Sequence, residues 1–324
     1  MAKIFKTFIK SLAGLTTVLA VSVSAAAYPE KPINIVVVFG PGGTSDVVAR
    51  LVGQSLGNVL KTDVIVSNRP GAGGNIGATQ VARATADGYT LLAGFPGLTT
   101  NGSLYQQLGY DPAKDFVPIS LLASAPNVIV VPASNPANSL QQFIAQAAQK
   151  GVPLNFGSAG AGSSSHLSGE LLKEISGMNL THVAYKGGSP ALIDLASGRL
   201  DLMIIPLPEA VGLIKSGKIK ALALASDKRS KLVPDLPTTK EAGLNNFVVG
   251  SWYGLLAPSG TPDNVVSALS AATARALKAE GVINNFDTNG IEMVGSTQQE
   301  FATFLQNERK RWGAVIEKNK IRLD

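Results

Sequence analysis

Short apolar runs rich in β-branched residues recur along the chain, and the first of them ends directly in a glycine-rich turn. Ile33 to Phe39 opens the series. Val64 to Val66, Tyr89 to Ala93, Asn127 to Val131, Leu154 to Phe156, His182 to Tyr185, Leu202 to Ile205 and Lys220 to Ala225 continue it, with helix-like stretches between. Strands that are apolar on both faces belong in a parallel sheet covered by helices on each side, so the pattern predicts an α/β fold. Two segments, Phe116 to Pro132 and Phe247 to Pro258, are too long and too apolar for loops. They read as crossings between two lobes with mainly parallel sheets. After the second crossing only helix-rich sequence follows, at Pro262 to Glu280 and Thr297 to Asn319. The expected division is a discontinuous first lobe, 28–128 plus 250–324, with a second lobe, 129–249, inserted in it. Two crossings between α/β lobes make a hinge.

The first 27 residues do not fit this pattern. Lys3, Lys6 and Lys10 precede an apolar stretch from Leu12 to Val23, and Ala25-Ala26-Ala27 supplies small residues at a cleavage position. That is the layout of a secretory signal peptide, with Tyr28 the expected mature N-terminus. The apolar stretch is well short of the roughly 20 residues a membrane-spanning helix needs. Removing residues 1–27 takes away three lysines and no acid, so the formal charge falls from +6 to +3. The remaining basic residues are scattered, with one dense group at Arg309-Lys310-Arg311 expected on the outer face of the last helix. No basic stripe interleaved with aromatics points to nucleic acid. The chain has no cysteine, which excludes disulfides, thiolate metal sites, cysteine nucleophiles and a lipid-bearing cysteine together. An exported chain of this kind suits the periplasm, and monomer is the default for a protein that must hinge.

In open parallel sheets ligands bind beyond the carboxyl ends of the strands, which directs attention to three glycine-rich turns. The first runs Phe39-Gly40-Pro41-Gly42-Gly43-Thr44-Ser45-Asp46. The second is Asn68-Arg69-Pro70-Gly71-Ala72-Gly73-Gly74-Asn75. The third, in the inserted lobe, runs from Gly157-Ser158-Ala159-Gly160-Ala161-Gly162-Ser163 to Ser164-Ser165-His166. Glycine lets the backbone approach a guest closely, and the helix behind presents N–H groups and a positive dipole end to it. The expected guest is an anion. The phosphate-binding spacings fail: Ile76 and Ser165 stand where GxGxxG needs glycine, and GxxxxGK[ST] does not occur. A carboxylate held by N–H and hydroxyl groups fits better. Three or four charge-assisted bonds of about 2 kcal/mol each approach the roughly 8 kcal/mol of a micromolar complex. Each turn taken alone could equally be a tight turn with an N-cap, and Asp46 could cap its own helix rather than touch a ligand.

Catalytic signatures are missing. The two histidines, His166 and His182, lie in no metal-ligand spacing, and the GxSxG motif is absent. His166 at the start of a helix reads as a capping or packing residue, so neither catalysis nor a cofactor is expected.

The ordered set of short motifs resembles the Bug-type, TctC-like extracytoplasmic solute-binding proteins of tripartite tricarboxylate transporters. It runs from Tyr28-Pro29-Glu30-Lys31-Pro32-Ile33 through Pro41-Gly42-Gly43-Thr44-Ser45-Asp46, Asn68-Arg69-Pro70-Gly71-Ala72-Gly73-Gly74-Asn75 and Asp87-Gly88-Tyr89-Thr90. Gly157 to Ser163, Tyr185-Lys186-Gly187, Asp235-Leu236-Pro237-Thr238, and Ala257-Pro258-Ser259-Gly260-Thr261-Pro262 complete it. The resemblance spans essentially all of residues 28–324. It implies a type II periplasmic-binding fold that closes around a small carboxylate: a di- or tricarboxylate, an acidic amino acid or an aromatic acid. It also implies delivery to membrane permease subunits. The ligand-binding residues so expected are Phe39, Gly42, Gly43, Thr44 and Asp46 in the first turn, and Phe95, Thr99 and Asn101 in the segment Gly94 to Asn101. In the second lobe they are Ser158, Gly160, Gly162, Ser163, Ser164, His166 and Tyr185. Two departures stand out. Ser67 replaces the usual glutamate, with a structural contact expected to change, and Phe95 and Leu98 make one wall partly apolar, unless both are core residues. A ligand sensor that reports to a receptor kinase would use the same closed lobes, and a hydrolase using Ser163 to Ser165 with His166 is a third reading.

Overall fold

The computed structural model describes residues 28–318 and 320–323; the expected signal peptide, residues 1–27, lies outside them. In chain order the elements begin with β1 (Ile33–Val37), α1 (Thr44–Leu60), β2 (Val64–Asn68), α2 (Asn75–Ala82), β3 (Thr90–Gly94) and α3 (Gly97–Leu104). The long strand β4 (Phe116–Pro132) leads to α4 (Leu140–Lys150), β5 (Leu154–Ser158), α5 (Ser164–Ser176), β6 (Leu180–Ala184), α6 (Gly188–Ala196), β7 (Leu202–Pro206), α7 (Leu207–Lys215) and β8 (Ile219–Ala225). Then β9 (Gly250–Pro258), α8 (Asp263–Ala276), α9 (Glu280–Asn289), β10 (Glu292–Met293) and α10 (Gln298–Lys318) close the fold.

The sheet order is β2-β1-β3-β9-β4-β7-β5-β6. The α/β class holds, and the sheet is mixed. Its outer pairs, β1 with β2 and β3 and β5 with β6 and β7, are parallel. The centre is antiparallel, because β4 and β9 run against each other and against β3, β7 and β8. This is where the two apolar crossing segments fall. Residues Phe116 to Pro126 of β4 pair with β9, and residues Asn127 to Pro132 pair with β7 and β8. The transfer occurs at Pro126–Asn127, where the Asn127 N–H donates to the Val249 carbonyl at 3.1 Å. Gly250 belongs there because a Cβ would lie 2.7 Å from the Ala125 carbonyl oxygen.

Each half of the sheet carries apolar cores on its faces. Ile33, Ile35, Leu91 and Leu255 pack under α1 and α8, while Val36, Val38, Phe95 and Leu256 pack on the opposite face. In the other half Ile129, Phe156, Leu202 and Phe247 form one core, and Val130, Met203, Ile205 and Leu195 the other. Helix α10 joins the halves. Its Phe301 and Leu305 are buried with Phe95 and Trp252, and its Trp312 and Ile316 with Ile129, Phe143 and Phe247.

Of Arg309-Lys310-Arg311, expected on the outer face of this helix, Lys310 and Arg311 are exposed and Arg309 is half-buried. Arg309 donates to the Pro112 carbonyl at 3.0 Å, and Arg311 donates to the Val248 carbonyl at 2.6 Å and lies over the Trp312 ring. Trp312 is buried and its indole N–H donates to Glu308 at 3.0 Å. Replacing it, Trp312→Ala, should cost about 3 kcal/mol or more of unfolding free energy, read by denaturant titration. A loss under about 1 kcal/mol would mean that α10 does not tie the second core.

Candidate ligand-binding cleft

Four helices aim their N-termini at one cavity of about 220 Å³: α1 from one half of the sheet and α5, α6 and α7 from the other. Phe39, Gly40, Pro41, Gly43, Thr44 and Ser45 line it from the first turn, Phe95 and Pro96 from the end of β3, and Ser251 and Tyr253 from β9. The second half supplies Ala159, Ser163, Ser164, Ser165, the run Lys186 to Pro190, Pro206 and Glu209. Convergent N–H groups and dipole ends of this kind favour an anion.

The first turn is held by Asp46. Its carboxylate accepts the Gly42 N–H at 3.1 Å, the Asn68 side-chain amide at 2.9 Å and the Arg50 guanidinium at 3.0 Å. Burial pushes this carboxyl up, but the bonds from Arg50, Gly42 and Asn68 outweigh it and hold the group below the usual range. Asp46 therefore anchors the turn, and it does not line the cavity; nor does Gly42, whose φ of 85° the bend requires. The second turn serves as support as well. Asn68 also donates to the Phe39 carbonyl, and Gly73 packs so closely on Ala161 that a Cβ would come within 2.3 Å of its carbonyl oxygen. Ser67, at the atypical position, donates to Asn34 at 2.9 Å, a structural contact.

Phe95, Thr99 and Asn101 divide in the same way. Phe95 and Leu98 belong to the core, with the Phe95 ring edge-on to Phe39, and Phe95 also reaches the cavity wall. Thr99 donates to the Pro96 carbonyl at 2.7 Å, and Asn101 donates to Asn75 at 2.6 Å, where Tyr110 also donates. Neither lines the cavity.

In the third turn, Ser158, Gly160, Gly162 and His166 form its back rather than the cavity wall. The Ser158 hydroxyl bonds the His182 ring at 2.6 Å and accepts the Gly160 N–H, while His166 Nδ1 accepts the Gly162 N–H at 3.2 Å. The two imidazoles stack with centroids 4.0 Å apart, beneath Phe156. Burial pulls His166 down to about 3, with His182 adding to the effect, and burial pulls His182 down to about 4. Both rings are neutral at ordinary pH. No hydroxyl of Ser163 to Ser165 bonds the His166 ring among the described residues; Ser163 instead accepts the His166 backbone N–H as the N-cap of α5. A serine–histidine nucleophile is not assembled. Tyr185 turns away to donate to Asp194 at 2.7 Å. Thus Phe39, Gly43, Thr44, Phe95, Ser163 and Ser164 come together at the cavity, Tyr185 bonds Asp194 instead, and the other expected residues brace the turns behind it.

Sequence reasoning passed over Ser251, Tyr253 and Glu209, and it placed Ser45 and Ser165 in the glycine turns without naming them among the ligand-binding residues. Glu209 sits in the first turn of α7, and its Oε1 accepts from the Thr44 N–H at 3.2 Å and the Thr44 hydroxyl at 3.3 Å, across the cleft. A second bridge joins the halves between the Ser164 and Ser251 hydroxyls. Burial pushes the Glu209 carboxyl up, opposed by the Thr44 bonds. Burial and then the Glu209 charge push the Tyr253 hydroxyl up. Among the described residues, seven buried side-chain polar atoms lack a hydrogen-bond partner, and four of them belong to residues that line this cavity: Ser45, Ser165, Glu209 and Tyr253. Buried polar groups normally find partners, so their concentration here marks a site for a polar guest. Leu207-Pro208-Glu209 directly follows the end of a buried strand and so marks a strand-to-helix turn, but it lacks the glycines of the other turns.

Residues 48–321 match the tripartite tricarboxylate transporter family receptor, TctC, and the chain belongs to that family. BugT of Bordetella pertussis is 34% identical over 310 residues, 95% of each chain. The solved periplasmic binding protein BugD is 36% identical, with a TM-score of 0.87 over 91% of this chain and 100% of that one. An R. palustris protein solved with adipate is 37% identical (TM-score 0.88, 91% and 100% covered). MatC from Rhodopseudomonas palustris, solved with bound malate, is 36% identical (TM-score 0.85, 89% and 100% covered). The family consists of solute-binding receptors rather than enzymes, and this chain has a solute-binding role.

The histidine pair makes stability pH-dependent. Between pH 6.5, the ordinary histidine value, and about 4, the unfolded chain takes up protons that the folded rings refuse. Stability should therefore fall as pH drops through that window, by on the order of 1 kcal/mol per pH unit for each ring. The raised carboxyls Glu170 and Glu209 act in the opposite sense, so the comparison is with a His166→Gln/His182→Gln variant. Thermal melts should show that variant to be less stable at pH 7.5 and flatter from 6.5 to 4. An equal slope in both proteins would contradict the neutral stack.

Proposed function

We propose that this chain is an exported receptor that captures a small carboxylate between two hinged lobes and delivers it to the membrane subunits of a tripartite tricarboxylate-type transporter. The observation that carries the reading is the meeting of serine-bearing helix N-termini from both halves of the sheet around one cavity with unpartnered hydroxyls. Adipate and malate, the molecules seen with two solved relatives, are both small carboxylates and support the guest class. The lobes are residues 28–128 plus 250–324 and residues 129–249, and they bend at Pro126–Asn127 and Val249–Gly250. The contacts of Glu209 with Thr44 and of Ser164 with Ser251 represent the closed arrangement. In this reading a carboxylate docks on one lobe, closure brings the second lobe's serines onto it, and the transporter reads the closed shape. Residues 1–27 direct export to the periplasm and are removed after Ala27.

A thermal-shift screen of the exported protein against mono-, di- and tricarboxylates and amino acids tests this directly. A ligand at 100 times its dissociation constant adds about 2.7 kcal/mol of stability, a rise of a few degrees in Tm. At least one chemical group of carboxylates should give such a shift. Silence across the panel, repeated after unfolding and refolding to strip retained ligand, would contradict the reading.

A further inference from the structure

Glu209 carries the only carboxylate among the residues lining the cavity, and it stands where an anionic guest would otherwise meet α1. Its Oε1 already takes the Thr44 N–H and hydroxyl. Its Oε2 is buried without a hydrogen bond. Gly188, the first residue of α6, packs against it so tightly that a Cβ there would lie 2.0 Å from Oε2, so the carboxylate already lies against the start of α6. Tyr253, only 5% exposed, brings a hydroxyl with no satisfied hydrogen bond to the same cavity, although Thr44 and Ser251 lie close to it, and Ser45 brings another. On the side of the second lobe, Ser163 to Ser165 at the N-terminus of α5 also line the cavity. The unpartnered hydroxyl of Ser165, 1% exposed, is there, and Lys186 contributes the only positive charge among the lining residues.

The cavity is thus divided in charge. One wall suits a carboxylate, and the other already holds one that is buried and half satisfied. A second ligand carboxylate beside Glu209 would set like charges together in a poorly screened site, whereas a cation there would satisfy Oε2. We propose that Glu209 is a specificity-determining residue that selects a small zwitterion. The ligand's single carboxylate sits at Ser163 to Ser165, at the start of α5, and its protonated amine sits on Glu209 Oε2, with the Tyr253 and Ser45 hydroxyls as further acceptors. This rests on the carboxylate-receptor reading and narrows it to net-neutral amino acids, away from di- and tricarboxylates.

The test is calorimetric titration of the exported, refolded protein with α- and ω-amino acids of two to six carbons, each matched to the mono- and dicarboxylate of equal length. At least one amino acid should bind about 30-fold or more tighter than its dicarboxylate partner. Glu209→Gln, which keeps the shape and the Thr44 contact, should weaken that amino acid by about 30-fold and narrow the preference. Ser165→Ala should weaken amino acid and dicarboxylate alike. A dicarboxylate that binds as tightly as its amino-acid match, or an unchanged preference in Glu209→Gln, overturns the inference and leaves the receptor reading standing. Binding of no carboxylate of any kind overturns the receptor reading and this inference with it. Should Glu209→Gln fail to fold, the wild-type comparison of matched pairs decides alone.

Discussion

The antiparallel pairing of β4 with β9 is the constraint on which the rest of the molecule depends. These two strands carry the chain from one half of the sheet to the other and back, side by side, through Pro126–Asn127 and Val249–Gly250. Because both crossings lie in the sheet, the outer parallel strands on either side end facing a shared cleft, and the helices that follow them aim inward. Proline at position 126 offers no N–H to the ladder, and glycine at 250 allows the strands to approach closely where the two halves meet. Asn127 is buried at the transfer, donating to Ser168 with its Oδ1 unpartnered.

Around that frame the glycine turns do two different jobs. Gly43, Thr44, Ser163 and Ser164 present backbone and hydroxyl groups to the cavity. Asp46, Asn68, Asn101, Ser158, His166 and His182 hold those groups in place through buried hydrogen bonds and a neutral imidazole stack. The binding surface itself is therefore thin, and most of the polar residues near it are support. Such a site can be selective only through the few side chains that reach the cavity, which gives Glu209, Tyr253 and Lys186 weight beyond their number.

Much of this was legible in the sequence, for physical reasons. The β-branched runs with glycine behind them identify strand-to-helix turns, and the two long apolar segments identify the crossings, since no solvated loop could carry them. The order of motifs identifies the family. The direction of the central strands was not legible, because a run that is apolar on both faces reads the same in parallel and antiparallel pairing. Nor was the assignment of individual turn residues to cavity or scaffold: Ser158 and Ser163 look alike in the sequence, and only the fold turns one toward His182 and the other toward the cleft. Glu209 reads as an ordinary first-turn acid favoured by the dipole of α7, and its second role emerges only when α1 is brought opposite it. Tyr253 reads as one more apolar residue of a crossing strand, and its hydroxyl gains meaning from the cavity it faces.

The measurement that tests the central claim most directly is a crystal structure of residues 28–324 with a bound ligand from the calorimetric panel. The account predicts the ligand's carboxylate at the N-terminus of α5, within hydrogen-bond distance of the Ser163 to Ser165 turn, with both halves of the sheet in contact with the same molecule. A ligand bound outside this cavity, or touching only one half, would contradict it.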